Sequence, residues 1–433
     1  MRTGNRNLIK QINHSITLNL IKSRGPLSRT DLVRLSGLSP ATISSLTGEL
    51  LALDFIQESG ERESMRGRPS VLLTLNAQAR FVVGLKLTER SIISALTDLE
   101  ANVLRYRLTP VQGMEDSQTA ITAISRAIEE TLNESAIPRA KVMGIGIGLD
   151  GIIDSHMGVC CYSPALHWRN VQLVRPLEDH FHLPVYIDNN VNTLTVAEQW
   201  FGLGQDVEHF LVVTIGRGVG MGVVVNGQIY RGAAGGAGEF GHLTLQEDGP
   251  LCGCGKHGCL EALVADYAMT RMTREAIEAG HTTVLSPALE GAGRLTLARV
   301  AEAAQQGDAV ALDLVARAGR ALGMGLSYLV SLFNPHLIIL SGEGVLSGEG
   351  APAGEALVGP ARSVMRKHIV DGLRDVRLVV EPVDDEAWAR GAACVVLSDL
   401  FTHPIDKSGR RLSVSRPERV RASRELRVGI HPP

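Results

Sequence analysis

Along the N-terminal stretch, apolar side chains recur every three or four positions, the period of a helix with one buried face. Leu8, Ile12, Ile16 and Leu20, with Ile9 and Ile21 alongside, predict a first helix that Gly25-Pro26 ends. A short second helix opens at Ser28, carries Leu32, Val33 and Leu35, and stops at Gly37. In the third, Ser39 is the N-cap and Pro40 the first helical residue. Its period turns Ile43, Leu46, Leu50 and Leu53 inward and Thr42, Ser44, Ser45 and Thr47 outward. Phe55-Ile56 and Val71-Leu72-Leu73 then read as two strands of a hairpin whose tip spans 61–69, a wing.

From Phe81 the pattern changes to short apolar runs alternating with helical stretches. FVVGLKL, SIISALTD, VMGIGIGL, PVYIDNN, FLVVTIG, VGMGVVVNG and HLIILSG read as strands, with helices near 117–134 and 297–332. Hairpins followed by strand–helix alternation predict an α/β fold with mixed sheets. Residues 281–296 read as an exposed insertion, and 403–433, polar and Arg-rich, as a disordered basic tail.

Composition narrows the class. The 433 residues are 44% hydrophobic and 21% charged, as in soluble globular proteins, and long enough for two or three domains. The net charge of −3 hides an uneven distribution. Residues 1–76 are net +4, residues 405–433 net +5, and the middle about −12, so a polyanion would dock at the ends. No apolar run reaches the roughly 18–20 residues that span a bilayer, and MRTGNRNLIK has no apolar core of a secretion signal. A cytoplasmic protein that does not enter a membrane is expected.

Two short helices joined by a glycine-containing turn form the helix-turn-helix pattern, which a simple packing hairpin also produces. Two features favour nucleic acid. Thr42, Ser44, Ser45 and Thr47 are small hydrogen-bonding groups, suited to base edges in a major groove. The wing tip carries Arg66-Gly67-Arg68-Pro69, a cationic turn able to follow phosphates or a minor groove, and Arg29 and Arg34 add phosphate contacts or solvated charge.

His242, Cys252, Cys254 and Cys259 form H-x9-C-x-C-x4-C in a Gly-rich stretch. Three of the six cysteines fall within eight residues, which in a reducing compartment reads as metal before disulfide. Four such ligands suit structural Zn2+ and leave no open position for water; free thiols beside an unrelated histidine are the alternative. Cys160, Cys161 and Cys394 lack partners at useful spacing and read as core residues.

Gly238-Glu239-Phe240-Gly241-His242, the cysteine run and Gly258-Cys259-Leu260-Glu261 together resemble the ROK family of repressors, open reading frames and sugar kinases. The resemblance covers residues 5–400. It implies a winged helix-turn-helix at 1–76 followed by a two-lobed actin-like/hexokinase-like ATPase fold. The lobes would comprise 77–190 plus 381–402, and 191–380 with the zinc loop and a sugar cleft. It further implies sugar contacts from Glu239, Glu261, Asn189 and Asn190, and from His242 through the ring nitrogen that does not bind zinc.

The same resemblance places a neutral amide, Asn190, where the kinases carry their catalytic Asp, which cannot act as a base. Lys86-Leu87-Thr88-Glu89-Arg90 stands in place of the first glycine-rich phosphate loop. Arg217 interrupts the second, and Glu343 puts a carboxylate in the third. Ala165 occupies a position where family sugar sites often have Asn. The expectation is a non-enzymatic repressor of carbohydrate genes, homodimeric or a dimer of dimers, binding operator DNA at the nucleoid under a sugar effector. A ROK-type sugar kinase with an appended DNA-binding domain is the alternative, and control by a protein partner a third possibility.

Overall fold

The computed structural model describes residues 6–62, 69–291, 293–345, 353–381 and 383–402. The basic tail expected at 403–433 lies outside the described residues. The chain divides into two compact units: Met1–Leu75 with the residues from Leu400 on, and Asn76–Asp399.

In the first unit, helix α1 (Arg6–Arg24) leads through the two-residue strand β1 (Leu27–Ser28) to α2 (Arg29–Ser36) and α3 (Pro40–Ala52). Local chemistry sets these boundaries. Ser28 and Asp31 form a capping box on α2, which Gly37 ends in the left-handed region with φ 69°. Ser39 caps α3 by accepting from the Thr42 N–H, and Pro40 fills the first turn. Strands β2 (Ile56–Arg62) and β3 (Ser70–Leu75) pair antiparallel as the expected hairpin. β1 adds a third strand against β3, too short for a period to show.

The first helix corrects the periodicity argument. Leu18 and Ile21 are buried, flanked by the buried polar residues His14, Ser15 and Thr17. Ile9, Ile12 and Ile16 are instead exposed, at 51%, 43% and 42%. The helix has two apolar stripes, and only one of them meets the core. Leu53 caps α3 and is half-buried, while Ile43, Leu46 and Leu50 are buried as expected.

The second unit builds the same sheet plan twice. The first half contains β4 (Phe81–Leu87), β5 (Ser91–Thr97), β6 (Val103–Pro110), α4 (Ser117–Glu134) and β7 (Val142–Leu149). A small antiparallel sheet follows, made of β8 (Ile152–Asp154), β9 (Val159–Ser163) and β10 (Trp168–Gln172). Then come α5 (Val174–Phe181), β11 (Val185–Asn189) and α6 (Asn190–Phe201). The second half holds β12 (Phe210–Ile215), β13 (Val219–Val225), β14 (Gln228–Ile229), α7 (Glu261–Val264), α8 (Asp266–Glu278), α9 (Leu297–Gln305) and α10 (Ala309–Phe333). It ends with β15 (Leu337–Ser341), α11 (Ala353–His368), β16 (Arg377–Val380) and α12 (Asp385–Thr402).

One sheet runs β11-β7-β4-β5-β6 and the other β16-β15-β12-β13-β14. In each, three strands are parallel and two more complete an antiparallel meander. The parallel strands are apolar on both faces because helices cover both faces. α12 returns to the first sheet so closely that a Cβ on Gly146 would lie 1.9 Å from the Ala392 carbonyl oxygen. That approach requires glycine. The expected insertion at 281–296 is not exposed throughout, since Leu285, Leu289 and Leu295 are buried in the core under α8 to α10. Cys160 and Cys394 are buried, and Cys161 is half-buried. Among the described residues, no helix is long and apolar enough to cross a membrane.

Candidate functional site

At the carboxyl ends of β4, β7, β11, β12 and β15 lies a cavity of about 1450 Å3, lined by residues from both sheets. Strand ends leave backbone groups and side chains pointing into such crevices, which is where α/β folds place ligands. Asn189, Asn190, Glu239, His242 and Glu261 all line it.

One wall is built from a single stretch of chain. His242, Cys252, Cys254 and Cys259 offer ligand atoms that all lie within 4.8 Å of one another. Cys252 Sγ is 3.6 Å from His242 Nδ1, and Cys254 Sγ 3.7 Å from Cys259 Sγ. A tetrahedron with metal–sulfur bonds of about 2.3 Å has edges of about 3.7 Å, so this donor set fits a four-coordinate metal. The loop that brings the donors together turns on Gly258, in the left-handed region with φ 67°, where a Cβ would collide with the Gln246 carbonyl. Lys256 Nζ donates to the His242 carbonyl and Tyr267 Oη to Cys252 Sγ. Burial and the adjacent thiols of Cys254 and Cys252 push the Cys259 thiol up to about 12, whereas, against a desolvation cost, hydrogen bonds from the Lys256 backbone and the neighbouring thiols hold the Cys254 thiol below its ordinary range.

The cluster couples directly to the cavity. His242 Nε2, the nitrogen turned away from the cysteines, is 3.7 Å from a Glu239 carboxylate oxygen. Glu261 Oε1 lies 3.9 Å from Cys252 Sγ, while Oε2 accepts from the Val219 N–H at 3.0 Å. Glu261 therefore ties the metal loop to the glycine-rich turn between β12 and β13.

A second wall is the strand-end segment of β11. Asp188 is buried and accepts from Arg231 at 2.7 Å and from the Asn192 amide at 2.9 Å, which fixes the two asparagines that follow. Asn189 caps α6 by accepting from the Val191 N–H, and donates to the Gly151 carbonyl at 3.0 Å. Both ends of its amide thus serve the backbone. Asn190 Oδ1 accepts from the same Val191 N–H at 2.9 Å.

Two ion pairs close the remaining side of the cavity. Lys86 Nζ is 3.3 Å from Glu343 and sits 4.0 Å over the Trp388 ring, and Arg217 pairs with Glu89. Burial holds the Lys86 ammonium below its ordinary range. Each pair joins a residue from the first sheet's side to one beyond the second sheet's strands. Sequence reasoning marked these side chains as departures from phosphate loops without showing that they pair with one another. It also missed Asp150, Arg231 and Trp388, because a lone acid, arginine or tryptophan carries no spacing signal.

In the first unit, Ser44 and Ser45 are exposed on α3, with Ser45 donating to Glu49 at 3.2 Å. Thr42 is half-buried and shares a hydrogen bond with Ser39. Thr47 corrects the outward reading, because it is fully buried. Its hydroxyl donates to the Ile43 carbonyl and accepts from Arg29 Nε at 3.0 Å. Thr47 therefore positions the Arg29 guanidinium and does not reach a base edge itself. Arg66 and Arg68 lie outside the described residues.

The ROK family model matches residues 82–399. The xylose repressor of Caldicellulosiruptor bescii is 30% identical over 93% of this chain and 99% of its own length. The DNA-binding transcriptional dual regulator NagC of Escherichia coli is 29% identical, over 91% and 94% respectively. A crystallised ROK family transcriptional regulator, homolog of the Escherichia coli MLC protein, superposes with a TM-score of 0.80 at 29% identity, covering 91% of this chain and 97% of that one. The ROK glucokinase of Streptomyces griseus, solved with glucose and AMPPNP, reaches 0.62 at 27% identity, covering 73% of this chain and 98% of its own. With the twofold sheet plan, the cluster of one histidine and three cysteines, and these matches taken together, the chain belongs to the ROK family and has the full-length layout of its transcriptional regulators.

Proposed function

We propose that this protein is a DNA-binding repressor of carbohydrate genes whose kinase-like unit senses a sugar without phosphorylating it. The observation that carries this reading is coverage: a named repressor matches both units over 93% of the chain, whereas the glucokinase covers 73%. Catalytic silence is supported by Asn190, a neutral amide where a proton acceptor is needed. It is also supported by the Lys86–Glu343 and Arg217–Glu89 pairs, which engage the nearby cations and present carboxylates where phosphates would need donors.

His242, Cys252, Cys254 and Cys259 would hold Zn2+, which supplies a cross-link and, with four protein ligands, no open coordination position. Glu239, Asn190, the Nε2 side of His242 and the outer lone pairs of Glu261 would meet the sugar, with Asn189 positioning them. On DNA, Ser44, Ser45 and Thr42 would face bases, and Arg29, Arg66 and Arg68 phosphates. The exposed Ile9, Ile12 and Ile16 stripe supports a homodimer on a two-fold site, with a dimer of dimers as the larger assembly. Sugar closing lobes 77–190 plus 381–402 and 191–380 would respace the paired recognition helices. Such a protein acts in the cytoplasm, at the nucleoid.

Gel-shift against the gene's own upstream region with a sugar panel tests this reading. A sugar-dependent change in retardation supports it, and retardation indifferent to every sugar overturns the sensing role. Steady ADP release from ATP and any of the same sugars would establish the kinase alternative.

A further inference from the structure

Asp150 is a cavity-lining acid that none of the roles above uses. Its place follows from strand register. β7 and β11 run parallel with Leu149 opposite Asn189, so Asp150 and Asn190 leave the ends of neighbouring strands side by side. The turn after β9 wraps the carboxylate from behind. Ser163 Oγ donates to Asp150 Oδ2 at 3.1 Å, and the backbone N–H of Ala165 favours the charged form of the carboxylate. A carboxylate offers about four acceptor positions, so this setting orients the group and leaves acceptors for a ligand.

Among the described residues no cation is paired to Asp150 itself, and Glu89 adds a second negative charge nearby. Of the cations that line the cavity, Lys86 and Arg217 are matched by Glu343 and Glu89, while Lys256, Arg271, Arg274 and Arg294 stand on the segments 250–258 and 266–296 and are not paired with Asp150. Burial raises the Asp150 carboxyl above its ordinary range, in keeping with an acid that lacks a counter-charge.

We propose that Asp150 is a ligand-binding and specificity-determining residue that accepts from a hydroxyl or ammonium group of an unphosphorylated sugar and excludes sugar phosphates. The inference rests on the reading of the cavity as a sugar site. The chemistry is electrostatic: a partly desolvated carboxylate attracts neutral donors and ammonium groups and repels phosphate oxygens. Ala165 fits this assignment, since its backbone N–H favours the Asp150 carboxylate while its methyl group makes no polar contact of its own.

Calorimetry on the full chain decides it, with D-xylose, D-glucose, D-glucosamine and N-acetyl-D-glucosamine as probes, each hexose paired with its 6-phosphate and xylose with its 5-phosphate. The wild type is expected to bind at least one unphosphorylated sugar tenfold or more tightly than its phosphate. Asp150→Asn keeps the size, removes the charge, and should shrink that ratio at least tenfold. Ser163→Ala frees the carboxylate without removing it, and should weaken the sugar while keeping the discrimination against phosphate. A purely structural Asp150 would lower Tm on substitution and leave the ratio unchanged, which overturns the proposal. So does a wild type that prefers the phosphate, a result that needs no variant to fold. If no probe binds, the sugar reading itself fails and takes this inference with it; binding with an unchanged ratio sinks this inference alone.

Discussion

The two ends of the cavity are built in opposite ways. The wall with the histidine–cysteine cluster comes from one segment, Glu239 to Glu261, in which every candidate donor lies within about twenty residues of the others. The side closed by the two ion pairs is assembled from remote pieces: Lys86 meets Glu343 across 257 residues of sequence, and Glu89 meets Arg217 across 128. A contiguous cluster closes short loops and, where it holds an ion, draws its stability from that ion. A remote pair exists only once both sheets have formed, and its worth is the small difference between attraction and desolvation. The first wall should therefore carry stability, while the second reports the arrangement of the two sheets.

The largest test of that contrast is removal of the metal. Cys252→Ser, or extended chelation, is expected to abolish bound zinc as read by elemental analysis and to cost several kcal/mol in a denaturant melt. A melt unchanged by chelation would place the stability of this wall elsewhere. Next in size is the asymmetry of the buried pair. Glu343→Gln leaves the Lys86 ammonium buried against the Trp388 ring, with Asp385 as its remaining attracting carboxylate, and should cost about 1–3 kcal/mol. Lys86→Met removes the buried charge and leaves Glu343, 42% exposed, to water, so it should be neutral or mildly stabilising. Equal losses from both substitutions would contradict the picture of a desolvated lysine.

Asp150 gives a smaller, pH-dependent effect. Its folded pKa is raised by burial, so the carboxylate form is penalised at neutral pH and the penalty fades as pH falls. Asp150→Asn should gain about 1 kcal/mol or less at pH 7, with the gain shrinking toward pH 4 in paired thermal melts. A gain that grows on acidification would have the wrong sign. Smallest in stability, but visible in binding, is Arg29→Ala on the Thr47-anchored guanidinium. It should weaken DNA uniformly across sequences and lower the salt slope by about one, while Tm stays nearly fixed.

The helix boundaries were legible because capping is local: Ser28 with Asp31, Gly37, and Ser39-Pro40 each act within one turn. The metal cluster was legible for the same reason, since its spacing is its geometry. Strand β7 and its neighbours showed as apolar runs, yet their order did not, because pairing is a choice among distant partners. Periodicity counted the apolar positions of α1 correctly and assigned Ile12 and Ile16 to the wrong side. A sequence shows that a stripe exists and not which stripe the rest of the chain covers.

Bonds between near neighbours, readable from sequence, set the caps, the turns and the four clustered donors His242, Cys252, Cys254 and Cys259. Packing of the whole fold settles that Thr47 is buried and serves Arg29, that Lys86 pairs with Glu343 and Arg217 with Glu89, and that Asp150 stands beside Asn190. These depend on helix packing, on sheet-to-sheet placement and on strand register, each fixed by burial of the whole core and by no short stretch within it.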